Sequence, residues 1–257
     1  MGDRLRGKVV VVTGGTKGIG KAVATMAASE GARVVVHGRS EEDGRRVVRD
    51  IAERYGSEAL FVQGDVGKEE DCGALIDKTV ERFGRVDGLV NNAGIFPRGT
   101  MTDTTGELFD AIFSVNMKGS FFCSKYAILS MQRTGGGSIV QMGSTNAYRG
   151  SKDLAAYSCS KGAMLTLNRH IAAHYARDGI RSNCITVGWV ATEGELELQQ
   201  KHYGRSPEEL NDIAARAIGT GRMQTPEDIA HSAIFLLSDD ASQVTGTEMM
   251  VNGGLGL

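Results

Sequence analysis

The stretch YSCSK places a phenol, Tyr157, four residues before an ammonium, Lys161. On a helix that spacing puts both groups on one face, one turn apart. A free tyrosine is a weak acid, with a pKa of about 10, and exchanges protons poorly at neutral pH. A cation beside it favours phenolate and makes the hydroxyl a usable general acid or base. The same pair also occurs as an ordinary feature of helix surfaces, so by itself it decides nothing. A second stretch with chemistry in it is TGGTKGIG, Thr13 to Gly20. Its glycines allow a tight turn and close approach of backbone to a ligand, and free amides at a helix start face negative charge, which suits a phosphate.

These groups need elements to hold them. Short β-branched runs alternate with longer stretches of helical period. KVVVVT (8–13), RVVVHG (33–38), ALFVQG (59–64), DGLVNNAG (87–94), GSIVQMG (137–143) and IRSNCITV (180–187) read as strands. Segments such as GKAVATMAASEG and EEDCGALIDKTVERFG carry apolar residues at three and four spacing, often with a glycine stop. Strands with little internal alternation are buried on both faces, and regular β, α, β order implies parallel pairing with right-handed crossovers. The expected architecture is therefore α/β, a doubly wound parallel sheet with helices on both faces. No linker, repeat or low-complexity tract divides the chain, so residues 1–257 are expected to form one domain. The region from about Glu193 to Gly221 breaks the rhythm, polar and helical in period, as a lid over the sheet's carboxyl edge would be.

Charge narrows the partners. The 29 basic and 31 acidic residues nearly cancel and form no long blocks, which leaves no footprint for nucleic acid or an anionic membrane. The first apolar run is too short for a membrane span or signal peptide, and a cytoplasmic location is expected. The cysteines at 72, 123, 159 and 184 are widely separated, with no spacing suited to a metal or a disulfide framework. A small-molecule partner fits best.

In a doubly wound sheet the ligand lies beyond the carboxyl ends of the strands, where the winding reverses. The glycine turn sits at the first of these ends, between strand and helix, so it is expected to bind a nucleotide. The second strand end selects which one. An acid there would bind ribose hydroxyls and repel a 2′ phosphate, but the sequence is VVVHGRS. Arg39 offers a planar fork suited to phosphate, and Lys17 adds a cation from the turn. NADP(H) is favoured over NAD(H), unless both cations are only solvated surface charges. Asp65, after the third strand, either accepts from an adenine amino group or closes a turn.

The pattern resembles the short-chain dehydrogenase/reductase family in its single-domain form, from about Gly7 to Gly254. TGGTKGIG is similar to the family's nucleotide turn and NNAG, Asn91 to Gly94, to its fourth-strand signature. NMKG, from Asn116, matches its helix asparagine, Ser144 follows the fifth strand, and Tyr157 with Lys161 completes Y-x-x-x-K thirteen residues later. The resemblance implies a Rossmann-type fold, a homotetramer with interfaces on the helices after Glu107 and Asp153 and on the last strand, and interconversion of a ketone and a secondary alcohol by hydride transfer. It implies that Tyr157 is the acid/base, that Lys161 holds the nicotinamide ribose and lowers the tyrosine's pKa, that Ser144 binds the substrate oxygen, and that Asn116 positions a water relaying protons. It implies cofactor contacts from Gly14, Thr16, Lys17, Gly18, Ile19, Gly20, Arg39, Ser40, Asp65, Val66, Asn92, Ala93, Gly94, Tyr157, Lys161, Gly188, Val190 and Thr192, and no metal. Asp153 or Ser151 is expected to cap the helix carrying Tyr157.

Two positions depart from the family pattern. Val187 stands where proline is usual before Gly188, which removes a fixed φ from the loop over the nicotinamide. Asn252 stands where Asp is frequent, with an expected structural effect. Ile95, Phe96, Thr145, Asn146, Trp189 and the stretch after Glu193 are placed near the substrate by the same resemblance. Glu193, Glu195 and Asn146 suit hydroxyls, while Phe96 and Trp189 suit an apolar wall or the core. A sugar, polyol, small cyclic ketone, 3-oxoacyl compound or simple aliphatic ketone all remain open. An extended-branch epimerase would be longer, with a C-terminal domain. A nucleotide-sensing protein without catalysis is the alternative from a different class, although such proteins often lose the Tyr or the Lys kept here.

Overall fold

The structure is a computed structural model and describes residues 2–256. Seven parallel strands form one sheet in the order β3-β2-β1-β4-β5-β6-β7: β1 Val9–Thr13, β2 Arg33–Gly38, β3 Ala59–Gln63, β4 Gly88–Asn91, β5 Gly137–Met142, β6 Ile180–Val187 and β7 Glu248–Val251. Alternation along the first strands explains why they read as unbroken apolar runs. Val10, Val12, Val34 and Val36 enter one core, while Val9, Val11 and Val35 enter the other. The first core packs under α1 (Gly18–Ser29), α2 (Glu41–Tyr55) and α10 (Pro226–Leu237); the second packs under α3 (Glu69–Phe83), α5 (Gly119–Thr134) and α7 (Ala155–Tyr175). Both faces are dry, as a parallel sheet requires.

The expected fold and single domain match this architecture, with three adjustments. β4 stops at Asn91, so the expected strand over 87–94 is too long. Asn92 leaves the ladder because its side chain donates to the carbonyls of Thr13 (3.0 Å) and Gly14 (3.1 Å), bending the chain over the glycine turn. The strand series also gains β7, a four-residue edge strand paired with β6 from Cys184↔Glu248 to Val187↔Val251. Its sequence, EMMV, has one β-branched residue and gives almost no strand signal. The third concerns α7. Its N-cap is Leu154, with no side-chain cap, so neither Ser151 nor Asp153 plays that part. Ser151 Oγ donates to Asn146 Oδ1 (2.8 Å), and the Asp153 carboxylate accepts from the Tyr203 hydroxyl.

The region after β6 is helical, as expected: α8 (Glu193–Tyr203), capped by Thr192, then α9 (Pro207–Ala217), opened by the Ser206 and Glu209 capping box. α4 (Gly106–Phe113) runs into α5 through a π-helical turn, Ser114–Lys118. The short α6 (Asn146–Arg149) follows β5. No helix among the described residues is long and apolar enough to cross a membrane.

Candidate active site

The sheet's winding reverses between β1 and β4, and the two strand ends are tied there. Thr13 Oγ1 donates to the Val90 carbonyl (3.2 Å) and accepts from the backbone N–H groups of Asn92 (3.0 Å) and Ala93 (3.1 Å). This leaves the glycine turn no room for side chains. A Cβ on Gly14, where φ is +61°, would meet Ala93 Cα at 2.9 Å, and one on Gly20 would meet the Gly14 carbonyl at 2.2 Å. Backbone is thus presented bare at the start of α1, in the arrangement that receives a phosphate.

From this turn a cleft of about 560 Å³ runs across the carboxyl ends of β4, β5 and β6. Gly14, Lys17, Gly18 and Ile19 line one end, and Asn92, Ala93 and Gly94 line its floor. Gly188, Val190 and Thr192 form the wall after β6, while Ser144, Tyr157 and Lys161 lie at the far end. The structure therefore brings three of the four expected catalytic residues to one cavity together with most of the expected nucleotide contacts. The others sit beside it. Thr16 packs against Gly38 at the end of β2, Ser40 caps α2 by accepting from the Asp43 N–H (3.3 Å), and Arg39 is exposed. Val66 is buried beneath Gly119. Asp65 takes the turn role, its Oδ1 accepting from the Gly67 N–H at 2.9 Å.

Lys161 is buried and donates to the Met142 carbonyl at 2.6 Å, so the end of β5 fixes the ammonium. Its Nζ lies 5.6 Å from the centre of the Tyr157 ring. Burial brings the Lys161 pKa down to about 8. The tyrosine departs from expectation: its pKa is raised, not lowered. Burial is the main cause, the Ser144 hydroxyl pulls the other way, Glu195 adds to the rise and Arg98 opposes it.

Asn116 is fully buried in the π-turn, outside the cavity wall. Its Oδ1 accepts from the Ile95 N–H (2.8 Å), and its Nδ2 donates to the Ile95 carbonyl (2.9 Å) and to Ser160 Oγ (3.1 Å). Ile95 is thus a backbone partner and not a wall of the cleft. A Cβ on Gly94 would lie 3.5 Å from Asn116 Oδ1 and 3.8 Å from Lys161 Nζ, so the absent side chain leaves a gap between those two polar atoms.

The substrate end is lined by Phe96, Thr145, Asn146, Trp189, Glu195 and Gln199, with Glu193 outside it and exposed. Phe96 stands edge-on to Tyr157 with ring centres 6.2 Å apart. Trp189 Nε1 donates to Glu195 Oε1 (2.9 Å), which draws α8 over the cavity mouth. The loop holding Trp189 keeps its shape without the missing proline: the Gln224 N–H donates to the Trp189 carbonyl (2.9 Å) and the Ala191 N–H to the Gln224 carbonyl (2.9 Å). Asn252 has the expected structural part, its Oδ1 accepting from the Gly254 N–H (3.0 Å). Arg98, Arg149 and Gln199 line the cavity and had no motif to announce them.

A nicotinamide dinucleotide fits these residues: bare glycine backbone and a cation lie at one end, and a phenol, a hydroxyl and an ammonium at the other. A family model described as "Enoyl-(Acyl carrier protein) reductase" matches residues 14–256. The chain belongs to the short-chain dehydrogenase/reductase family. It is 38% identical over 258 residues to 2-(S)-hydroxypropyl-CoM dehydrogenase 3 of Xanthobacter autotrophicus, covering 99% of both chains. It is 36% identical to the NADP-dependent (R)-specific alcohol dehydrogenase of Lentilactobacillus kefiri, covering 99% of this chain and 98% of that one. L-sorbose reductase from Gluconobacter frateurii, solved with NADPH and L-sorbose, superposes with a TM-score of 0.93 at 29% identity over 99% of this chain and 98% of the other. This short-chain dehydrogenase/reductase is thus an oxidoreductase whose relatives act on alcohols and ketones.

Proposed function

We propose that the protein interconverts a ketone and a secondary alcohol with NADP(H) favoured over NAD(H), Tyr157 exchanging the proton with the substrate oxygen. The observation that carries this reading is the meeting of Ser144, Tyr157 and Lys161 in one cleft that begins at the glycine turn. A bound nicotinamide supplies or accepts the hydride, and reduction leaves negative charge growing on the carbonyl oxygen. Ser144 and Tyr157 hold that oxygen through their hydroxyls. Burial keeps the proton on Tyr157 until that charge appears, which is the state a general acid needs. Lys161, with its pKa at about 8, is mainly protonated at neutral pH and steadies the phenolate left behind. The gap beside Gly94, between Asn116 Oδ1 and Lys161 Nζ, suits a water that returns the proton from solvent.

NADP(H) preference rests on Arg39 at the end of β2, where no acid stands in the ribose position, and on Lys17 in the glycine turn. The four free cysteines, three of them buried, agree with a reducing compartment and hence with the cytoplasm. A homotetramer fits the exposed apolar residues on α4 and α5.

The deciding experiment is turnover of a panel of ketones and secondary alcohols with NADPH, NADH and their oxidised forms, followed by the absorbance of the reduced ring. At least one pair is expected to react. Tyr157→Phe should lower kcat about 100-fold or more while the variant still binds NADPH by fluorescence titration. An active Tyr157→Phe enzyme refutes the proton role. Nucleotide binding without turnover across the panel favours a sensor.

A further inference from the structure

Arg98 lies in the loop between β4 and α4. Backbone bonds stitch this loop to the segment that opens α7: the Gly99 N–H donates to the Asp153 carbonyl (2.9 Å) and the Ala155 N–H to the Gly99 carbonyl (3.2 Å). The stitching delivers the guanidinium to the substrate end of the cleft, near enough to influence the Tyr157 phenol. It is an unusual guanidinium. Its side chain is only 16% exposed, yet it makes no hydrogen bond among the described residues. The Nε edge is buried and faces Asp153 Oδ2 at 3.6 Å, while the Tyr203 ring of α8 lies 5.9 Å from the guanidinium carbon. One side of the group is therefore fixed by the protein, and the Nη donors are left with no protein acceptor.

Glu195 belongs to the same cavity. Its Oε1 accepts from both Trp189 Nε1 (2.9 Å) and Gln199 Nε2 (2.7 Å), whereas Oε2 has no partner among the described residues. The cavity thus holds unused donors on one side chain and an unused acceptor on another. Two carboxylates, Asp153 and Glu195, line the cavity along with the cations Lys17, Arg98, Arg149 and Lys161, and Asp153 stands directly against Arg98. Asp153 stays ionised, since the hydrogen bond from Tyr203 outweighs the effect of burial and holds its pKa low. A carboxylate arriving at Arg98 would meet both acids, and a plain hydrocarbon chain would strip water from the guanidinium and return nothing. A hydroxyl does neither, because it accepts from one group and donates to the other.

We propose that Arg98 and Glu195 determine specificity by binding hydroxyl groups on the substrate, which is a neutral polyhydroxylated ketone or the matching polyol. This rests on the ketone/alcohol reading of the site, and names the class of substrate for it.

The test compares carbonyl compounds of one chain length, with NADPH: a set of 2-hexuloses, 2-hexanone, which lacks the hydroxyls, and 2-oxohexanoate, which replaces them with an acid. At least one hexulose is expected to exceed both others in kcat/KM by about tenfold or more, the size of one well-made hydrogen bond. In Arg98→Met that ratio should fall about tenfold, through KM more than kcat. Glu195→Gln keeps the side chain's shape and should also lower the ratio of hexulose to hexanone. NADPH titration verifies that each variant is folded. Preference for 2-hexanone or 2-oxohexanoate, or variants that keep the wild-type ratio, overturns the assignment of Arg98 and Glu195 while leaving the ketone/alcohol reading intact. No turnover of any carbonyl or alcohol would remove that reading, and this one with it.

Discussion

Arg39 illustrates how much a single side chain carries at the nucleotide end. Lys17 Nζ is already 3.2 Å from Asp43 Oδ2, and Asp43 also pairs with Arg46, whereas Arg39 forms no ion pair among the described residues. It is the free cation at the β2 end. Arg39→Ala should raise KM for NADPH about tenfold or more while changing KM for NADH little, as steady-state kinetics would read. An equal effect on both would show that this guanidinium does not read a 2′ phosphate. Installing an acid at Gly38 is a poorer test, because a Cβ there meets Thr16 Cγ2 at 2.8 Å. His37, just before it, supplies a pH dependence. Both ring nitrogens are buried without a hydrogen bond, and burial lowers its pKa from 6.5 to about 4 against the pull of Asp71 and Asp65. The unfolded chain binds a proton in that window and the folded one does not. Stability is therefore present above about pH 6.5 and lost as pH falls towards 4. His37→Leu should flatten the fall in thermal midpoint over that range, and an unchanged pH profile would exclude His37 as its source. The Tyr157 and Lys161 pair stood out by its spacing, but its role, and Ser144 altogether, came from the resemblance to the family. Arg98 was not legible, since its place comes from Gly99 pairing with Leu154, a contact 55 residues distant that leaves no local pattern.

At the level of elements, strand periodicity was readable wherever both faces are covered, and failed at β7, an edge strand too short and too poor in β-branched residues to announce itself. The π-turn at Ser114–Lys118 was equally hidden: its sequence, SVNMK, reads as continuous helix. One extra residue in the turn is a strain that neighbouring contacts must offset, and such turns gather at functional sites. The offset here is the Asn116 side chain, which uses both amide hydrogens and its oxygen to hold Ile95 and Ser160. Asn116→Ala strands the Ile95 N–H and carbonyl in the interior. It should destabilise the protein by about 2–3 kcal/mol in urea unfolding, and a loss below about 0.5 kcal/mol would mean the turn holds itself. A proton-relay role predicts in addition that kcat falls in the Asn116→Ala molecules that remain folded.

On the scale of the whole molecule, the charge balance and the single sheet were evident from composition and the order of elements, whereas the interface helices and last strand came only from the family resemblance. Phe109 (40% exposed) and Phe121 and Leu129 (48% each) stand on α4 and α5, and pocket-forming Phe113, Met117 and Phe122 continue the same face beside Phe121. An apolar face of this kind is expected to be covered by a partner. A second area lies at the other side of the sheet. There Met250 is exposed on β7, beside Glu248, which accepts from the Tyr148 hydroxyl and pairs with Arg169 of α7 at 2.6 Å. Two separate self-complementary faces build a tetramer, whereas one builds only a dimer. Light scattering should therefore give four times the chain mass, and Phe121→Glu together with Leu129→Lys should halve it by closing only the α4 and α5 face. Wild-type protein at the mass of one chain would show that neither face pairs. A variant that stays tetrameric would move the interface off these helices.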